Sequence, residues 1–167
     1  MLSIVSIFLS VLLAGANPAR ATCSPSLLGT NISITNGPLE AGFSLNGPAL
    51  VSQPISEGIS EFAVGISDFG RRKWTLLKVA DEELSLTNTG ALPEMLPFEP
   101  PIVSPQSWIF ECSSCVSEGS LIGEGCFVVS PSDGRCLNIS NAAPAGSLVT
   151  LGDCDAIGGS INIYSAA

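Results

Sequence analysis

Six cysteines constrain this chain more than any other feature: Cys23, Cys112, Cys115, Cys126, Cys136 and Cys154. What they mean depends on the compartment. The stretch from Met1 to Ala14 carries no charged side chain and is dominated by Leu, Ile and Val. It is short for a span, which needs about 20 apolar residues. Small-x-small patterns follow at Ala14-Gly15-Ala16 and Ala19-Arg20-Ala21, the pattern that signal peptidase accepts. The sequence therefore predicts a signal peptide over 1–21, cut after Ala16 or Ala21. The mature domain is 22–167, extracellular and without a membrane span. In an exported chain an even cysteine count reads as up to three disulfides, with the pairing open. Five of the six lie between Cys112 and Cys154, so the C-terminal third is the stapled part, and Cys23 ties the N-terminus to it. Cys112-Ser113-Ser114-Cys115 would indicate zinc or redox work in a cytosolic chain. Export argues for structural bridges, with no metal and no other cofactor.

Composition narrows the function classes. Fifteen acids against six basic residues give a net charge of −9, and there is no histidine. Such a chain is a poor partner for nucleic acid or for an anionic membrane. A serine, threonine or cysteine nucleophile has no histidine to activate it. No acid pair sits in a recognisable motif, so the expectation is a protein that is not an enzyme. Asp81, Glu82 and Glu83 read as a solvated turn.

Gly and Pro punctuate short apolar runs with period-two alternation: Ile32 and Ile34, Phe62, Val64 and Ile66, Leu84 and Leu86, Leu137 and Ile139, Val149 and Leu151, Ile161 and Ile163. Many short strands separated by turn residues predict an all-β sandwich or barrel. Asn36-Gly37, Asn46-Gly47 and Asp133-Gly134 are hairpin-turn dipeptides. The stretch Arg71–Thr89 lacks Gly and Pro and is read as two strands, Trp74–Val79 and Leu84–Thr87, around the acidic turn 80–83. Leu92–Pro105 holds five prolines and is read as an extended surface loop. Arg71-Arg72-Lys73 is the single basic cluster. A basic pair in a secretory chain can be a processing site, but here it is read as a solvated turn, since cutting would split a core strand.

Two motifs carry a family resemblance. One is Cys136-Leu137-Asn138, followed by the small-residue turn Ala145-Gly146-Ser147 and the strand Val149-Thr150-Leu151 before Cys154. The other is Gln106-Ser107-Trp108. Together they resemble a repeat of the ricin B-type β-trefoil lectins, with their cysteine-framed strand pair and Gln-x-Trp motif. Arg72-Lys73-Trp74 resembles an earlier copy of that motif, and Asn162-Ile163-Tyr164 a later one. The resemblance implies an all-β, disulfide-stapled β-trefoil of three degenerate repeats over 22–167. It also implies a Cys136–Cys154 bridge and core roles for Trp74, Gln106 and Trp108.

The same resemblance implies a carbohydrate-binding module, and shows where it departs from the family. The sugar pocket needs an acid and an aromatic platform. Asn138 stands at the acid position and Gly152 near the aromatic one, leaving Asp133 or Asp153 as substitute acceptors. In the middle repeat, only Leu86 and Asn88 hint at a comparable site. Asn138-Ile139-Ser140 is a glycosylation sequon, as is Asn31-Ile32-Ser33, and a glycan on Asn138 would fill that pocket. The expected function is a secreted carbohydrate-binding module with sugar binding weakened or lost. The alternative is a secreted β-trefoil that binds a protein partner, as a protease inhibitor or effector, through the Leu92–Pro105 loop.

Overall fold

The computed structural model describes residues 23–55, 61–116, 119–154 and 161–165; the signal peptide expected over 1–21 lies outside them. Among these residues the chain forms twelve strands: β1 (Asn31–Asn36), β2 (Leu39–Phe43), β3 (Leu50–Pro54), β4 (Phe62–Asp68), β5 (Lys73–Lys78), β6 (Asp81–Asn88), β7 (Pro93–Pro97), β8 (Trp108–Cys115), β9 (Leu121–Val129), β10 (Cys136–Asn138), β11 (Thr150–Gly152) and β12 (Ile161–Ser165). The ladder closes on itself. β1 pairs with β4, β4 with β5, β5 with β8, β8 with β9, β9 with β12, and β12 returns to β1. Three hairpins stand off this six-stranded barrel: β2–β3, β6–β7 and β10–β11.

The register shows why the apolar alternation takes this form. Inside each run of four strands, the first strand pairs with the fourth through two buried residues: Ile32 with Phe62, Trp74 with Trp108, and Cys126 with Ile161. Two residues further on, each run pairs with the next: Val64 with Leu76, Phe110 with Val128, and Ile163 with Ile34. All twelve side chains are at most 6% exposed. The i, i+2 spacing puts each pair on one face of its strand, and closure makes that face the inside. The hairpins meet one another at their ends: Ala49 bridges to Glu94, Val51 to Leu148, and the Met95 N–H donates to the Pro48 carbonyl at 2.7 Å.

Three disulfides staple this frame: Cys23–Cys115, Cys112–Cys126 and Cys136–Cys154. The N-terminus is thereby tied to β8, where Cys23 also exchanges backbone hydrogen bonds with Cys112. The Cys112–Cys126 bridge crosses directly between paired residues of β8 and β9. Gly123 makes room for it, since a Cβ there would lie 2.8 Å from Cys126 Sγ and 2.9 Å from Cys112 Sγ. Bonded sulfurs cannot swing away as a flexible side chain does. Gly123→Ala is therefore expected to cost about 1–3 kcal/mol, the usual range for overpacking a core. Denaturant melts of the oxidised protein check this; an unchanged midpoint would mean that the sheet yields at this point.

Three sequence expectations are corrected. The β5–β6 turn is Val79-Ala80, not the acidic run, because Asp81 pairs with Lys78 and Asp81 to Glu83 extend β6 with exposed side chains. Their polarity reports a solvated strand end rather than a break. Part of the proline-rich stretch is not loop. β7 pairs with β6 from Pro93 opposite Asn88 to Pro97 opposite Leu84, and Met95 is buried. Its prolines stand at the two ends of the strand, where a missing donor costs least. Finally, Trp74 and Tyr164 are not copies of the Trp108 position. Trp74 lies on β5 directly across from Trp108, and the residues that open β4 and β12 as Trp108 opens β8 are Phe62 and Ile161.

Of the turn dipeptides, Asn36 ends β1, and Gly37-Pro38 forms the two-residue turn with Gly37 at φ 59°. Gly134 follows Asp133 at φ 75°. Asn46-Gly47 lies in the β2–β3 connection.

Candidate functional site

The candidate sugar site is built on the β10–β11 hairpin. Antiparallel pairing sets Cys136 opposite Gly152, Leu137 opposite Leu151 and Asn138 opposite Thr150. Leu137 is fully buried, so Asn138 takes the other face and is half-buried. Cys154 Sγ lies 3.7 Å from the Gly134 carbonyl oxygen, which brings the Asp133 turn against the segment holding Asp153. Asp153 is exposed. At Gly152 a Cβ would meet nothing within 4 Å, and no aromatic side chain stands at that position.

Asp133 is already committed. Its Oδ1 accepts from Asn88 Nδ2 at 2.9 Å and from the Arg135 N–H at 3.1 Å. Its Oδ2 accepts from Arg135 Nε at 2.7 Å and Nη2 at 2.6 Å. Burial pushes this carboxyl up, but the hydrogen bonds from Asn88 and Arg135, with the Arg135 charge, outweigh it and hold it below the ordinary range. Asn88 donates in addition to Ser130 Oγ at 2.9 Å and Ser132 Oγ at 3.2 Å, and Arg135 Nη2 reaches the Gly90 carbonyl at 2.6 Å. The group therefore joins the end of β6 to the turn before β10. In the sequence, Asn88 is only a hint of a second sugar site and nothing marks Arg135.

The register also locates the counterparts of Asn138. Each hairpin strand joins the barrel three residues beyond the buried pair: Thr35 opposite Glu40, Leu77 opposite Ser85, and Val129 opposite Cys136. Two residues further along lie Gly42, Thr87 and Asn138. None of the three is an acid. Thr87 is 8% exposed; its hydroxyl donates to the Ser85 carbonyl at 3.0 Å and accepts from Gln106 Nε2 at 3.2 Å. A Cβ on Gly42 would fall among the side-chain atoms of Gln53.

Gln106 and Trp108 brace the middle run. The Gln106 amide donates to the Pro97 carbonyl at 2.8 Å and accepts the Glu99 N–H at 3.1 Å. Trp108 Nε1 donates to the Leu86 carbonyl at 2.9 Å, whereas Trp74 Nε1 is buried without a partner among the described residues. Of the two sequons, Asn31 is exposed at the start of β1 and Asn138 is half-buried.

A further acidic pair went unnoticed in the sequence. Glu40 is fully buried, and Gln53 Nε2 donates to its Oε1 at 3.2 Å and to Glu61 Oε1 at 2.8 Å. Glu40 holds the register position that Cys136 holds in the last run, so a hydrogen-bonded link stands where that run has a disulfide. The signal was an acid between Leu39 and Ala41 in a strand buried on both faces. Burial, then the Glu40 charge, raise the Glu61 carboxyl; the Gln53 hydrogen bond and the Lys78 charge oppose them. A carboxyl raised on folding stabilises the protein below its unfolded value, about 4.3, and loses that contribution as pH rises through the folded value. Wild-type stability is therefore expected to fall from this group between acid and neutral pH, and Glu61→Gln to flatten the profile. Chemical melts across that range check it; an unchanged slope in the variant would place the effect elsewhere. The Asp133 contribution has the opposite sign and is lost only as pH falls through its lowered value.

Among the described residues, no group of three or more His, Cys, Asp or Glu is placed to hold a metal, and no helix is long and apolar enough to cross a membrane.

No protein-family model matches the sequence, and no curated protein is detectably similar to it. Solved structures do match in fold. One is a mosquitocidal holotoxin, similar with a TM-score of 0.64 at 9% identity over 85% of this chain. The chain spans 18% of that toxin's length, so the likeness is to one part of a larger protein and concerns the fold alone.

Proposed function

We propose that the chain is a secreted β-trefoil of the ricin B type whose carbohydrate sites are weakened or lost. The observation that carries this reading is the pairing register. A closed six-stranded barrel with three hairpins, repeating one scheme in β1–β4, β5–β8 and β9–β12, is the arrangement that the Gln106-Ser107-Trp108 and Cys136–Cys154 motifs imply. The same register weighs against a working lectin. Gly42, Thr87 and Asn138 occupy the acceptor positions, and Asp133, one of the two substitute acids, is held by Arg135 and Asn88. A sugar hydroxyl would have to displace charge-assisted bonds to reach it. The likeness to part of a toxin agrees with a module, but at 9% identity it carries no toxicity to this chain.

The expected outcome on a glycan array is no binding by the oxidised, deglycosylated protein. Sugar-specific binding lost in Asp153→Ala or Asn138→Ala would restore the lectin reading.

A second reading, binding a protein partner, draws on the segment after β7. Glu99, Pro100, Pro101, Val103 and Ser104 are exposed, while the Gln106 amide and the Phe98 N–H, bonded to the Glu83 carbonyl at 2.7 Å, clamp its base. A loop held this way loses little freedom on binding. Replacing Pro100-Pro101 by Gly-Gly should weaken capture of such a partner while lowering stability by only about 1–2 kcal/mol, the cost of a freer unfolded chain.

A further inference from the structure

Three of the six basic residues lie side by side where the β4–β5 connection enters β5: Arg71 and Arg72 in the connection and Lys73 as the first residue of the strand. The chain turns there through a short 3-10 segment, Phe69–Arg71, and then Arg72. The Arg71 side chain is 76% exposed, and Arg72 is exposed as well. Arg72 has φ 50°, the only non-glycine residue at positive φ among those described. The turn is held by long, exposed contacts: the Arg71 N–H meets Asp68 Oδ1 at 3.3 Å, the Arg71–Asp68 ion pair is 3.7 Å long, and Arg72 Nη1 donates to the Ser24 carbonyl at 3.5 Å. Such a pair adds little stability, and such a turn opens locally at small cost. The other basic residues of the domain are engaged. Lys78 lies 4.7 Å over the Phe43 ring, and Arg135 is bound to Asp133. The folded domain therefore presents one accessible basic cluster.

Cutting here would not split a core strand, contrary to the sequence reading. β4 ends at Asp68 and β5 begins at Lys73. β4 pairs with β1 away from the turn, and β5 meets β8 through Lys73 and Trp74, on the C-terminal side of the Arg72–Lys73 bond. Of the three disulfides, Cys23–Cys115 alone joins the two sides, and the other two lie wholly after it.

We propose that the Arg71–Lys73 turn is a processing site for an endoprotease whose acidic pockets select paired basic residues, and that cleavage yields a two-chain protein joined by Cys23–Cys115. Water adds across the Arg72–Lys73 peptide bond. The C–N bond breaks, the Arg72 carbonyl carbon takes the hydroxyl of water, and the Lys73 nitrogen takes the other water proton and then the proton of the new carboxyl, leaving a carboxylate and an ammonium. No electrons are transferred. In the cell the step rests on the proposed export of the chain; the purified protein tests the site without it.

The experiment treats oxidised protein with a dibasic-selective endoprotease and compares gels with and without reductant. One band without reductant and two with it, the second chain beginning Lys73-Trp74, is the expected result, with the cooperative melt retained. Arg72→Gly suits the positive φ and removes both basic pairs; it should resist cleavage. First cleavage elsewhere, equal cleavage of Arg72→Gly, no cleavage, or fragments that part without reductant would overturn the site. The full chain expressed in a eukaryotic secretory host should emerge as two disulfide-linked chains. An intact single chain in the medium would overturn processing even where the purified protein is cut, and failure of the chain to leave the cell would count against export instead.

Discussion

Replacing Trp108 with alanine is expected to destabilise the protein by about 3–5 kcal/mol, the range for deleting a fully buried large aromatic side chain. Trp108 is 0% exposed, faces Trp74 across the β5–β8 ladder and donates its indole N–H to the Leu86 carbonyl. Alanine removes both contributions. It leaves a cavity where β5 meets β8 and strips a buried carbonyl of its donor. Trp108→Phe separates the two, keeping most of the volume and losing the hydrogen bond, and should cost less. Denaturant unfolding followed by circular dichroism gives both numbers. A loss below about 1 kcal/mol for the alanine variant, ordinary for an unremarkable site, would show that the barrel does not rest on this residue.

The second large effect concerns the N-terminus. Cys23–Cys115 closes a sequence separation of 92 residues, and Cys112–Cys126 one of 14. In the chain-entropy account, a bridge stabilises by restricting the unfolded chain, more so for the longer loop. The expected losses are about 4–5 kcal/mol for Cys23→Ala with Cys115→Ala and about 3 kcal/mol for Cys112→Ala with Cys126→Ala. Parallel melts of the two double variants decide the ordering. The reverse ordering would mean that burial of Cys112 and Cys126 inside β8–β9 outweighs loop length.

Much of this was legible in the residues. The alternating pairs Ile32 and Ile34, or Ile161 and Ile163, are the inward faces of barrel strands, since successive side chains of a strand point to opposite sides. What was not legible has particular causes. Proline is a strand breaker in isolation, yet Pro93 and Pro97 end β7 because a strand's terminal positions need no donor. Asp81 to Glu83 belong to a strand whose exposed end tolerates charge. Trp74 resembled a repeat of Trp108 because two tryptophans in one repeat look alike in sequence, and only the ladder register separates partner from copy. At the candidate site, the motif marked Asn138, Asp133 and Asp153. It could not show that Arg135 and Asn88, the latter contributed by a distant hairpin, had already taken the Asp133 carboxylate.

The closure of β1 against β12 sets the order in which this protein can be made. Ile32 pairs with Ser165, so β1 needs a neighbour that leaves the ribosome more than 120 residues later. Until β12 emerges, the nascent barrel is an open sheet with β1 and β9 as bare edges, the condition in which chains pair with the wrong partner. Folding of the barrel is then expected to wait until β12 has emerged, and to be slow for the size of the domain, because a pairing so distant in sequence pays a large closure entropy. A chain stopped before Ile161 should aggregate rather than lose a dispensable tail.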